Sequence, residues 1–161
     1  MKLKKVLAVV LSTMMVAGMA TTGMAGSDSS VGYFTPYNDA RAYFDAYCGY
    51  SSGSASTSLY GDASTTWATV SVNMDMYIID SDLYEKLSDA DKDAYAELFD
   101  SSSDSSSDYY NSMAIIDVEA AGASMGSGNY VYHGYKVESE HSAVTNLNAS
   151  NPVGDSLTAK Y

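Results

Sequence analysis

The sequence predicts a mostly β fold, either a small antiparallel β-sandwich or a single sheet, with a short helical insertion at about residues 81–99. The first observation is a strict alternation of apolar and polar residues over 67–79, the period of a strand with one buried face. The second is the return of that alternation between residues 113 and 161. The third is a change to helical spacing between these regions, at Leu83, Leu87, Ala94 and Leu98.

The first 25 residues have the three parts of a secretory signal peptide. Three lysines within residues 2–5 precede an apolar run over 6–20, and small residues then favour cleavage before Gly26, with cleavage after Ala20 as the alternative. The apolar run is fifteen residues long, shorter than the roughly 20 residues of a membrane-spanning helix. We therefore expect a secreted, extracellular protein that is not inserted in a membrane after signal cleavage.

Charge and cysteine content exclude several classes of partner and site. Cleavage at Gly26 leaves five basic residues against twenty acidic ones, a net charge of −15. Because nucleic acids and anionic lipids are bound through positive charge, neither is an expected partner. The single cysteine, Cys48, rules out an internal disulfide and any CxxC motif. Two roles stay open for Cys48: a small apolar residue, or the link in a disulfide-bonded dimer.

Residues 26–65 form a segment rich in Ser, Gly and Tyr that precedes the predicted β domain at 66–161. Thr35 and Pro36 suit the start of a short N-terminal helix. Four residues would share one face of that helix: Tyr37, Ala40, Phe44 and Tyr47. Residues 51–58 are nearly all Ser, Gly, Ala and Thr, which predicts a linker.

The strand over 67–79 has one apolar and one polar parity. The apolar parity is Ala68, Val70, Val72, Met74, Met76 and Ile78. Trp67 and Tyr77 lie on the polar parity, which predicts an aromatic patch on the solvent face.

An acidic insertion follows at 80–108. Ser88 and Asp91 form a capping box that predicts a second short helix over 89–99. The tract 101–108 contains only Ser and Asp, so it has no apolar group to bury and is expected to be a mobile, solvated loop.

The strand period returns after residue 113, first around Ile116 and Val118. In the next segment Val131, Tyr135, Val137 and Ala143 share a parity, and 146–154 is expected to be a hairpin loop before a last strand at 153–161. His133 and His141 share a face but lie about 26 Å apart on one strand at about 3.3 Å per residue. They are therefore not expected to share a metal or to form a catalytic pair.

Asp89, Asp91 and Asp93, followed by Glu97 and Asp100, have the spacing of ligands in a calcium loop. The position that requires Gly for the sharp turn of such a loop is Ala94, however, and the helical spacing favours a solvated helix face. These aspartates are thus weak metal candidates, and no cofactor is expected.

Two motifs match residue patterns of catalytic sites but lack the surrounding structure that such sites require. Gly122 to Gly126 matches G-x-S-x-G around Ser124, but a strand rather than a helix is expected next. Asp117 and Glu119 lie on one strand face and would be the pair of a small carboxylate-dependent hydrolase. Alternating acids are equally typical of a solvated strand, so no catalytic residue is expected.

Fifteen tyrosines are the unusual feature of the composition. Tyrosine suits the binding of sugars or protein surfaces, although it also fills half-buried strand positions. Trp67, Tyr77, Tyr130 and Tyr132 are the candidate ligand-binding residues. Asn148-Ala-Ser150 is a glycan acceptor only in a host that glycosylates.

The stretch from Tyr130 to Ala143, with Ser156 to Tyr161, resembles small uncharacterised all-β proteins secreted by Gram-positive bacteria, over the C-terminal half only. The Tyr132-His133-Gly134 and His141-Ser142-Ala143 runs are more faintly similar to lactococcin-type bacteriocins. The glycine-rich N-terminal part of that family is absent here, and no functional residue is carried over.

The sequence therefore predicts a secreted, non-catalytic module that binds an envelope glycan or protein. The alternatives are a bacteriocin-like secreted effector, which the charge of −15 opposes, and the hydrolase of Asp117 and Glu119.

Overall fold

The computed structural model describes residues 25–34, 40–61, 65–109, 115–121, 131–146 and 148–161. These residues form eight strands and two short helices: β1 Gly26–Tyr33, β2 Arg41–Cys48, β3 Gly53–Tyr60, β4 Trp67–Asp80, α1 Ser81–Tyr84, α2 Asp89–Tyr95, β5 Glu97–Tyr109, β6 Ile115–Ala121, β7 Tyr132–Thr145 and β8 Val153–Lys160. Sheet A has the antiparallel order β1-β2-β3-β6, and sheet B has the order β5-β4-β7-β8. The predicted mostly β fold with a helical insertion is confirmed.

The hydrophobic core lies between the two sheets. Sheet A contributes Phe44 and Leu59, and sheet B contributes Met74, Met76 and Val137, all at most 2% exposed. Burying each of these side chains contributes about 1.5–3 kcal/mol relative to leaving it in water. Packing of the sheets against each other is therefore the main source of stability, while the helices stay at the periphery.

Strand β4 confirms the alternation over 67–79, with one local exception. Ile78 was expected in the core, but it is only half-buried, and Ile79 is fully buried instead. The register with both neighbouring strands shifts by one residue beside Tyr77, because β5 and β7 each have one residue more than β4 at this point, Phe99 and Tyr135. An extra residue in a partner strand bends the ladder and increases the local twist, and the burial alternation of β4 changes parity there.

The predicted N-terminal helix is wrong over residues 41–48, which form β2. Its even-numbered residues from Ala42 to Cys48 are buried, and the odd-numbered ones are not. Ala40 and Phe44 are four residues apart, so they share a face on a helix and also on a strand. The spacing was ambiguous, and pairing with β1 and β3 decides for the strand. Thr35, Pro36 and Tyr37 lie outside the described residues.

The predicted linker at 51–58 is also wrong, because β3 begins at Gly53. Gly53, Ala55, Thr57 and Leu59 are buried at alternate positions. Small side chains occur there because the sheets approach closely. β3 also pairs with β6, so the N-terminal segment and the later β segment share sheet A.

The acidic insertion contains less helix and more strand than predicted. α2 ends at Tyr95, four residues before the expected end, and β5 begins at Glu97. The tract 101–108 is part of β5 rather than a loop. It needs no apolar residue, since β4 supplies its backbone partners and outward side chains pair as well: the Ser107 and Thr69 hydroxyl oxygens are 2.6 Å apart.

The expected C-terminal strands are confirmed as β6, β7 and β8. Tyr135, Val137 and Ala143 are buried on β7 as predicted, whereas Val131 precedes the strand and is 56% exposed. No helix among the described residues is long and apolar enough to span a membrane.

The edge strands carry aspartates that accept backbone N–H groups. The N–H of the serine that follows donates to Asp28 on β1, to Asp104 on β5 and to Asp155 on β8, at 2.8–2.9 Å. Asp28 also accepts the N–H of Thr158 at 3.1 Å, which joins the edge of sheet A to that of sheet B. Buried or occupied edge donors protect a sheet against pairing with another chain.

Candidate functional site

An open groove crosses the outer face of sheet B, the face turned away from the core. It has a volume of about 370 Å³ and lies where β4, β7 and β8 run side by side. Its inward-pointing residues, Met74, Ser139 and Leu157, are buried. Its outward positions are all polar: Asn73, Asp75, Glu138, Glu140, Ser156 and Thr158.

The carboxylates make this groove acidic. Asp75 and Glu138 are register partners on adjacent strands. The Ser101 hydroxyl donates to Asp75 Oδ1 at 2.6 Å, and Lys136 Nζ lies 2.8 Å from Glu138 Oε1. These contacts orient two of the carboxylates, while Glu140 is exposed on the same face. A groove of this charge favours neutral or cationic ligands and repels anionic ones.

Tyr77 and Lys136 lie next to one end of the groove. They are register partners, and Lys136 Nζ lies 4.6 Å from the centroid of the Tyr77 ring. Burial, followed by the charge and hydrogen bond of Glu138, raises the pKa of Tyr77, so its hydroxyl remains protonated at neutral pH. Tyr77 thus supplies an aromatic surface with a neutral hydrogen-bonding end next to the polar groove.

Asp93 fastens α2 to sheet B beside this end of the groove. Its carboxylate accepts hydrogen bonds from Lys160 Nζ at 2.8 and 3.0 Å and from the Tyr135 hydroxyl at 3.0 Å. Lys136 Nζ lies 3.6 Å away. The hydrogen bond from Lys160 is the main cause that lowers the pKa of Asp93. Since α1 and α2 contain no buried residue, such polar contacts help to hold the two helices against sheet B.

An aromatic cluster around His133 provides the second attachment of the insertion. Tyr50 stacks on His133 with ring centroids 5.2 Å apart, and Tyr161 lies at the same distance. Tyr84 of α1 contacts His133 edge-on at 4.7 Å, and Lys92 Nζ of α2 lies 3.9 Å from the Tyr84 ring centroid. His133 is 4% exposed, so the cluster packs the insertion against the sandwich.

The structure does not bring the candidate ligand-binding aromatics together. Trp67 and Tyr77 lie on the same face of β4, Trp67 at its start and Tyr77 near its end. At about 3.3 Å per residue they are about 33 Å apart. Tyr132 pairs with Asp80 at the start of β7, beyond the groove. Tyr130 lies outside the described residues. Tyr77 is therefore the candidate that borders the groove.

Asp89, Asp91 and Asp93 lie on α2 and make separate contacts. Asp89 pairs with Lys92 at 2.9 Å, and Asp91 accepts a hydrogen bond from the Ser88 hydroxyl at 2.5 Å. Asp93 faces Lys160 instead. Within the described ranges, no group of three or more His, Cys, Asp or Glu side chains is arranged to hold a metal ion.

His141 forms a buried hydrogen-bond chain that the sequence did not predict. Its Nδ1 lies 2.9 Å from Thr57 Oγ1 in sheet A, and its Nε2 lies 2.8 Å from Ser139 Oγ. Thr57 donates its own proton to the carbonyl oxygen of Ser71 at 3.1 Å. Thr57 must therefore accept from Nδ1–H, and Ser139 must donate to Nε2.

A hydroxyl that contacts a histidine nitrogen is also the geometry of a nucleophile and its base. Here, however, Ser139 is 4% and His141 5% exposed, and both face the core. Among the described residues, both side chains are therefore largely shielded from solvent. The strand parity marks both residues as buried, but nothing in the sequence identifies Thr57 as a partner 84 residues away.

Four further candidates have different outcomes. Ser124 lies outside the described residues, and of Asp117 and Glu119 the structure describes only the backbone, on β6. Cys48 is a completely buried core residue, as one of its two expected roles requires. Burial raises the pKa of its thiol to about 12, and a disulfide-linked dimer would require β2 to open. Asn148 Nδ2 donates to the carbonyl of Asn151 at 3.0 Å, so the sequon amide is engaged within its loop.

Compared with known proteins, the chain matches no family model, and no curated protein matches it. The resemblance to small secreted proteins of Gram-positive bacteria therefore stays a prediction.

Proposed function

We propose that the chain is a secreted binding module that acts at or near the cell envelope and carries out no reaction of its own. The single observation that carries this proposal is the open groove on the outer face of sheet B. The buried Ser139–His141 pair, in contrast, faces the core and supports a structural role.

The lining of the groove favours a glycan over a protein as the ligand. Protein interfaces have an apolar centre rich in large side chains. The outward positions here are carboxylates, an amide and hydroxyls, from Asn73 to Thr158. Together with the ring of Tyr77 at one end, they match the way in which sugars are bound, by hydrogen bonds and by stacking on an aromatic face.

The charge of the groove narrows the class of glycan. Asp75 on β4 and Glu138 on β7 are register partners, and Glu140 lies two residues further along β7 on the same face. Phosphate-bearing or carboxylate-bearing polymers would be repelled there, so the ligand is expected to be a neutral or amino-substituted polysaccharide. A position outside the cell is supported by the predicted signal peptide.

A cosedimentation assay tests the proposal. The full chain is expressed in a secreting bacterial host, and the protein recovered from the medium is mixed with washed cells and with purified cell walls. Glu140→Lys reverses one charge inside the groove, and Glu85→Lys makes the same change on the exposed turn after α1. We expect Glu140→Lys to weaken wall binding at least tenfold and Glu85→Lys to bind like the wild type.

Each other outcome counts against a part of the proposal. Equal binding of wild type and Glu140→Lys would remove the groove as the site. No binding to cells or to walls would overturn the envelope module. Growth inhibition, scored in the same cultures, would support the bacteriocin-like effector instead. Competition by an anionic polymer but not by a neutral one would contradict the expected ligand class.

A further inference from the structure

We propose that the hydrogen-bond chain through His141 is an acid-sensitive lock, which holds the two sheets together while the imidazole is neutral and loosens when it takes up a proton. The proposal concerns the stability of the sandwich and does not depend on what the groove binds. It rests on the position of one titratable side chain between the sheets.

The lock connects three strands through one ring. His141 on β7 donates from Nδ1 to Thr57 on β3, and Thr57 donates to the Ser71 carbonyl on β4. Ser139, on the same strand as His141, donates to Nε2. Because Thr57 belongs to sheet A and His141 to sheet B, this chain crosses the core. In the neutral state every one of these groups has a partner of the correct kind.

The surroundings of His141 provide little compensation for a positive charge. β2 presents the Phe44 ring, with centroids 5.3 Å apart, β3 presents Thr57, and β4 presents Val72 as the register partner. Asp155 on β8, opposite His141 in the register, is the charged group that faces it. Burial outweighs the attraction of Asp155 and lowers the pKa of His141 from 6.5 to about 4.

Protonation changes the hydrogen-bond requirement as well as the charge. The new Nε2–H points at Ser139 Oγ, which until then was the donor. The Ser139 hydroxyl must turn its proton elsewhere, although its residue is 4% exposed and packed in the core. A buried donor without a partner destabilises the folded state. The lock is therefore closed above about pH 6.5 and is lost progressively as the pH falls towards 4.

Urea unfolding measured from pH 7.5 to pH 4 tests this inference on the secreted protein. The unfolded histidine takes up its proton around pH 6.5 and the folded one around pH 4, so His141 alone should raise the unfolding constant about 150-fold over this range. The glutamine of His141→Gln forms hydrogen bonds but does not titrate, so this rise in the unfolding constant should be absent in that variant. Titrating aspartates such as Asp89 and Asp93 are present in both proteins and cancel in the comparison.

His133→Gln is the matched control, because it removes the other buried histidine of β7 and leaves the hydrogen-bond chain through His141 intact, so the part of the pH dependence that comes from His141 should remain. The same pH dependence in His141→Gln and in the wild type would overturn the lock. If His141→Gln does not fold, an NMR titration of the histidine rings in the wild type decides. A resonance with a midpoint near pH 4, retained in His133→Gln, supports the lock, and midpoints above about 5.5 for both rings would refute it.

Discussion

Gly53→Ala is the sharpest test of how the two sheets pack, because the two interpretations of residues 51–58 predict opposite signs. In a linker, alanine would restrict the unfolded chain and stabilise the protein by about 0.4–1 kcal/mol. In β3, the added methyl group would enter the space between the sheets. A Cβ at Gly53 would lie 2.5 Å from Val137 Cγ2 and 3.3 Å from Met76 Sδ.

The magnitude follows from those contacts. Val137 and Met76 are both completely buried, so neither can turn towards solvent to make room. Inserting a methyl group into a core that is already filled destabilises a protein by about 1–3 kcal/mol. Val137→Ala removes the atom at 2.5 Å and leaves the flexible Met76 side chain as the nearest neighbour. In that background, Gly53→Ala should cost less than about 0.5 kcal/mol, a coupling energy of at least about 0.5 kcal/mol.

Equilibrium urea unfolding, followed by the fluorescence of the single tryptophan, Trp67, gives the free energy of unfolding of the wild type, the two single variants and the double variant. Ser54→Ala, on the opposite face of β3, is the control and should change the free energy of unfolding by less than about 0.5 kcal/mol. A Gly53→Ala protein as stable as the wild type, or more stable, would refute the close approach of β3 to β7. Additive effects of the two core substitutions would show that they are not in contact.

Three further predictions concern local features. Asp93→Asn should speed amide hydrogen exchange over 81–95 while changing global stability by less than about 1 kcal/mol, since its pair with Lys160 is part exposed; unchanged exchange would contradict its fastening role. Asn148→Ala removes hydrogen bonds to the N–H and hydroxyl of Thr145 and should cost about 1–2 kcal/mol in thermal unfolding, whereas Asn148→Asp, which retains the acceptor, should cost less; equal losses would argue against that bond. Cys48, whose pKa burial raises to about 12, should react with a thiol reagent at pH 8 only after unfolding in urea, so rapid reaction of the native protein would contradict its burial.

The sequence predicts the fold best where one pattern runs for many residues. The alternation of β4 extends over a dozen residues, and the structure departs from it only after the register shift beside Tyr77. The short strands β2 and β3 were missed for a physical reason. Spacings of four satisfy a helix and a strand alike, and Ser-rich or Gly-rich composition is typical both of linkers and of strands that need small side chains.

The candidate site was less predictable, because it depends on register between distant segments. Asp75, Glu138 and Ser156 come from three strands, and only the pairing of β4, β7 and β8 brings them into one groove. The parity of Tyr77 could be read from the sequence, and it does border the groove. Trp67 has the same parity, but a strand face alone does not say which of its ends has a function. The partnership of His141 with Thr57 likewise requires the packing of one sheet on the other.

The aspartates on β1, β5 and β8 affect how copies of this protein can meet edge to edge. At Ser29, Ser105 and Ser156 the edge N–H group is already bonded to the preceding carboxylate, so at these positions a neighbouring chain finds no donor to extend its own sheet. The same carboxylates bring like charge to the flanks of every copy. We therefore expect edge-to-edge pairing between copies to be disfavoured at these positions, even at high local density.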